Sequence, residues 1–90
     1  MSPRILVVED NPITRKLLRV TLQSAGYAVS EAADGAAAVA RAAEAMPDLV
    51  LLDLLLPDLE GDAVLRRLRA LPGGDGLPVL ALSGFLPGQE

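Results

Sequence analysis

The sequence predicts an α/β fold built on a parallel sheet, and three observations lead there. Short apolar runs at Ile5-Leu6-Val7-Val8 and Leu49-Val50-Leu51-Leu52 have the composition of strands buried on both faces, and Pro78-Val79-Leu80-Ala81-Leu82 adds a further strand. Segments with helical spacing of apolar residues separate these runs, which implies βαβ units, right-handed crossovers and helices on both faces of the sheet. The same runs end in oxygen-bearing side chains: Glu9 and Asp10, then Asp53, then Ser83 followed by Gly84.

Taken in order, the first strand is closed by Glu9 and Asp10. Asn11 is a good N-cap and Pro12 suits a first helical position, so a helix is expected from Pro12 to Ala25 with Gly26 as its stop. Its apolar residues fall into two sets at helical spacing, Ile13, Leu17 and Val20, and Leu18, Leu22 and Ala25. Tyr27 to Ala32 alternates enough to suggest a strand at the sheet edge. Asp34 then caps an alanine-rich helix that must end before Pro47. After the third strand, the segment from Leu54 to Glu60 contains Pro57, and Gly61 lies near the start of a helix. Val64, Leu65, Leu68 and Leu71 supply that helix's apolar face before Pro72-Gly73-Gly74 breaks the chain.

Composition narrows the function. Ninety residues, 51% hydrophobic, accommodate one domain with a core. There is no cysteine or histidine, so Ser-His and Cys-His nucleophile systems are excluded within this chain, and metal chemistry is left to oxygen ligands suited to hard cations. The formal charge is −4 and the basic residues are dispersed, which argues against nucleic-acid binding by this segment. No run approaches the ~20 apolar residues of a membrane span. Met1-Ser2-Pro3-Arg4 leads into the first strand without a signal-peptide layout, so the expectation is a cytoplasmic protein beginning at its natural start.

In open parallel α/β sheets, ligands bind outside the carboxyl ends of the strands, beside the point where strand order reverses. Carboxylates converging there repel one another unless a cation neutralises them. Magnesium takes octahedral oxygen coordination with only one or two carboxylates, which leaves room for a phosphate oxygen. An aspartate so placed can attack phosphorus to give an acyl phosphate, with the metal and a hydroxyl at Ser83 available to stabilise the transferred charge.

Ile5-Leu6-Val7-Val8-Glu9-Asp10-Asn11, Asp48-Leu49-Val50-Leu51-Leu52-Asp53 with Pro57 and Gly61 following, and Leu82-Ser83-Gly84 resemble, in order and position, the motifs of the response-regulator receiver family of two-component signalling. The resemblance is chemotaxis-regulator-like and covers nearly the whole chain. It implies that Asp53 is the phosphoacceptor and that Asp10 and Asp53 bind Mg2+ directly. It further implies that Glu9 acts through a bound water and that the backbone carbonyl of Leu55 completes the protein's ligands. Ser83 resembles the family's switch hydroxyl and Gly84 its small neighbour. The implied donor is a sensor histidine kinase or phosphotransfer protein. The chain would be a signalling domain that catalyses only its own phosphoryl transfer and passes its state to an output partner.

The family's domain continues through another helix, a fifth strand and a final helix, whereas this sequence stops at Gly88-Gln89-Glu90. The expectation is therefore a receiver domain over residues 1–90, incomplete at the C-terminus: a flavodoxin-like doubly wound sheet of order 2-1-3-4, truncated after the fourth strand. With the fifth strand goes the family's lysine, for which Lys16, the only lysine here, is a poor substitute. An exposed fourth-strand edge would favour a homodimer, a segment swap or packing on another domain.

Competing readings remain at this level. A pseudo-receiver would keep the acidic pocket as a binding or dimerisation module without switching. Glu9-Asp10 could be an acidic turn that complements a helix dipole, and Arg66, Arg67 and Arg69 a solvated face. An enzyme acting on a separate substrate fares worse. The turn after the first strand is acidic, not glycine-rich, and neither the dinucleotide fingerprint nor the P-loop pattern is present.

Overall fold

In a computed structural model of the chain, residues 2–53 and 61–82 are described. Among them the elements run β1 Arg4–Val8, α1 Pro12–Ser24, β2 Ala28–Ala32, α2 Gly35–Glu44, β3 Leu49–Asp53, α3 Gly61–Ala70 and β4 Val79–Leu82. All strand pairs are parallel and the order is β2-β1-β3-β4, so β2 occupies an edge as its alternation predicts.

Side-chain alternation divides the strand residues between two layers. Leu6 and Val8 of β1, with Val50 and Leu52 of β3, face α2 and α3, where Ala38, Ala42, Val64 and Leu68 complete the main cluster with Leu77. Ile5, Val7 and Leu51 face the other way, against Leu18 and Leu22 of α1. The two apolar sets of α1 thus part company. Leu18 and Leu22 reach the sheet, whereas Ile13, Leu17 and Val20 are 79%, 65% and 44% exposed.

Local chemistry sets the helix ends. The Asn11 side chain accepts from the amides of Ile13 and Thr14 at 2.9 and 3.1 Å, and Asp34 accepts from Ala37 at 2.7 Å. At the far end of α1, Gly26 takes φ +98°, its amide donates to the Gln23 carbonyl, and Tyr27 donates to Leu22. That pair of bonds is a Schellman closure, so α1 stops at Ser24 with Ala25 as the cap, one residue short of the expected end. After α3, a Cβ at Gly74 would run into the backbone carbonyl of Leu68, so only glycine lets the chain turn back this tightly toward β4. β4 begins at Val79 because Pro78 has no amide to donate, although its carbonyl accepts from Val50.

Candidate functional site

The strand order reverses between β1 and β3, because α1 leads from β1 outward to β2 and α2 leads back across to β3. The register pairs Val8 with Leu52, so the residues that follow, Glu9 and Asp53, leave the sheet side by side. Carboxylate oxygens of Glu9, Asp10 and Asp53 all lie within 4.8 Å of one another. Glu9 and Asp53 are each only 8% exposed, while Asp10 is exposed. Among the described residues this is the carboxylate group arranged closely enough to share one ion.

Electrostatics within the group are unfavourable without a cation. Burial raises the Glu9 carboxyl from its ordinary 4.5 to about 7, and hydrogen bonding to Asp53, its negative charge and a hydrogen bond to Asp10 push the same way. The amide of Asn11 opposes this by donating to Glu9 Oε2 at 3.2 Å. Three hard oxygen donors with no nitrogen or sulfur ligand suit Mg2+, and a divalent charge relieves the crowding that otherwise keeps a proton on Glu9. The residues present therefore fit the ion.

Glu9, Asp10 and Asp53 are thus brought together as the sequence led us to expect. The Leu55 carbonyl, Ser83 and Gly84 lie outside the described residues, although β4 pairs with β3 up to Leu82 beside Asp53. Sequence reasoning missed Arg15 and Glu31. Arg15 Nη1 donates to the Glu9 carbonyl oxygen at 2.9 Å, and its Nε lies 3.3 Å from Glu31. Arg19 pairs with the second oxygen of the same carboxylate at 3.2 Å. The available signal was weak: two arginines four residues apart on α1 and an acid in an edge strand.

Comparison with known proteins agrees with this geometry. The family model of the response regulator receiver domain matches residues 5–87. The DNA-binding dual master transcriptional regulator RpaA of Synechocystis is 42% identical over 83 residues, which are 92% of this chain and 34% of that protein. Response regulator MprA of Mycobacterium bovis is 45% identical over 83 residues, 92% of this chain and 35% of that one. Among solved structures, chemotaxis protein CheY4 of Vibrio cholerae superposes with a TM-score of 0.91 at 30% identity, covering 99% of this chain and 74% of that one. The receiver domain of sensor histidine kinase PA1611 from Pseudomonas aeruginosa, with a magnesium ion coordinated in its active-site cleft, gives 0.85 at 38% identity, over 90% and 66%. The chain spans about a third of the length of these curated relatives.

A parallel α/β sheet of this strand order, with carboxylates gathered at its reversal point, is of the receiver-domain class to which the solved neighbours belong. Within that class, this chain belongs to the response regulator receiver domain family of two-component systems. Among the described residues, no helix is long and apolar enough to cross a membrane.

Proposed function

We propose that this chain is a phosphorylation-dependent receiver in which Asp53 accepts a phosphoryl group from a sensor histidine kinase or phosphotransfer protein and passes its state to an output partner. The observation that carries the reading is the meeting of three carboxylates within 4.8 Å at the reversal point of the sheet. A carboxylate oxygen of Asp53 attacks the donor's phosphorus, the bond from phosphorus to the donor's nitrogen breaks, and that nitrogen leaves with the electron pair. Asp10 and Asp53 would hold the cation directly and Glu9 through water. When bound, Mg2+ supplies the positive charge that offsets the charge on the phosphoryl oxygens. In the same reading the Leu55 carbonyl is a further ligand, Ser83 is the switch hydroxyl and Gly84 leaves room for it. The domain works in the cytoplasm and catalyses only its own phosphoryl transfer, and neither nucleic acid nor a membrane is a partner of this segment.

The domain of residues 1–90 is, on this proposal, incomplete at its C-terminus. The exposure of Leu80, at 57%, supports it, because its register partner Leu51 belongs to the sheet face that packs on α1, and so does the exposure of Ile13 and Leu17, which α1 turns away from the sheet. A homodimer or a segment swap at the β4 edge would cover the same surface. The pseudo-receiver remains the second reading. It is favoured by the position of Lys16, exposed on α1 among Pro12, Ile13, Leu17 and Val20 in a cavity that none of the three carboxylates lines.

Intact mass after incubation with acetyl phosphate and Mg2+ tests the choice. The expected result is a Mg2+-dependent gain of one phosphoryl group that Asp53→Asn abolishes. No gain in a sample shown to be folded would favour the pseudo-receiver, or mean that the missing C-terminal elements are required for the chemistry.

A further inference from the structure

Burial restrains Glu9 and Asp53 but not Asp10, which is exposed although its carboxylate lies within 4.8 Å of theirs. The orientation of Asp10 therefore depends on the direction of its backbone as well as on that contact. The peptide between Glu9 and Asp10 is planar, so whatever holds the Glu9 carbonyl also sets the direction from which the Asp10 Cα departs. That carbonyl accepts from Arg15 Nη1 at 2.9 Å. The amide of Glu9 donates to the Ala32 carbonyl at 3.0 Å. The two anchors converge on one place, because Glu31, which pairs with Arg15 at 3.3 Å, immediately precedes Ala32 at the end of β2. Glu31 is held in turn by Arg19 at 3.2 Å, and the Arg15 side chain is only 23% exposed.

We propose that Arg15, locked by Glu31, is a positioning residue that fixes the Glu9–Asp10 peptide so that both carboxylates face the Mg2+ site; the inference rests on the Mg2+ reading above. The guanidinium is suited to this because its planar fork serves a carbonyl and a carboxylate at once. A role through charge alone has the opposite sign. Removing a cation beside an acidic pocket makes that pocket more attractive to Mg2+, whereas loosening the peptide makes it less so.

Calorimetric titration of the full chain with Mg2+, together with melting of the metal-free protein, separates these effects. Arg15→Met should weaken Mg2+ binding roughly tenfold, the low end for residues that orient metal ligands. Arg15→Lys, which keeps the charge and lacks the fork, should lose a smaller part of the affinity. Arg19→Met removes the same charge and pairs with the same Glu31 from one turn further along α1, and should stay within about twofold of the parent. Parent-like or tighter binding by both Arg15 variants, or an equal loss in Arg19→Met, would overturn the inference. A lower melting temperature with unchanged affinity in the folded Arg15 variants would also overturn it, since that is the mark of a merely structural tie. Absence of Mg2+ binding by the parent chain would instead remove the Mg2+ reading itself, and this inference with it.

Discussion

Ile5 and Leu6 are neighbours in one strand, both almost fully buried, yet they belong to layers of different depth. Among the described residues, Leu6 enters a cluster of ten buried residues closed by α2 and α3. Ile5 enters one of three, closed by α1, a helix of 13 residues with none of its own buried. The strands cannot account for the difference, because β1 and β3 present apolar residues alternately to both sides. What differs is the covering. α2 and α3 seat small or branched residues, Ala38, Ala42, Val64 and Leu68, directly on the sheet. α1 offers Leu18 and Leu22 to the sheet and turns Ile13, Leu17 and Val20 outward. A helix apolar on two sides is suited to two neighbours, and among the described residues only the sheet packs on it.

Truncation on each face measures this difference directly. Leu68→Ala leaves a cavity where the side chain is 0% exposed, and should cost about 3 kcal/mol in urea unfolding. The second test concerns the carboxyl edge that both layers share. An acid whose folded value is raised holds its proton more tightly in the folded state. The contribution of Glu9 to stability is therefore complete below its unfolded value of 4.5 and is lost as pH rises through about 7. Metal-free protein should be more stable at pH 5 than at pH 8, by at most about 3 kcal/mol, and Glu9→Gln should flatten that slope. A slope unchanged in Glu9→Gln would assign the pH dependence to other groups. The smallest effect is expected for Leu17→Ala, within about 0.5 kcal/mol, because the side chain is 65% exposed. A loss at Leu17 comparable to that at Leu68 would erase the contrast and mean that another surface covers α1 in solution.

Much of this architecture was legible in the residues. Ile5 to Val8 and Leu49 to Leu52 are strands because an apolar run of that length, bounded by polar residues, can be satisfied in a buried parallel position. Asn11, Asp34 and Gly26 marked helix ends because their short side chains, or the lack of one, solve a local hydrogen-bonding or torsional problem. Asp10 and Asp53 are 43 residues apart, yet their meeting followed from strand-end position alone, since parallel strands align their carboxyl ends. The Arg15–Glu31 lock was not legible. An arginine on a polar helix face meets many acids in principle, and the partner is chosen only by the register of β2 against β1 and by the seat of α1 on the sheet.

The sequence by itself determined the fold class, the helix caps and the set of carboxylates that meet, because each depends on local propensity or on strand-end position. Only the tertiary structure decided which stripe of α1 is buried, how close Glu9, Asp10 and Asp53 come, and that Glu9 holds its proton to about pH 7. The reason is physical: burial and charge repulsion are properties of an assembled neighbourhood, set by distances and solvent exclusion that no single segment contains.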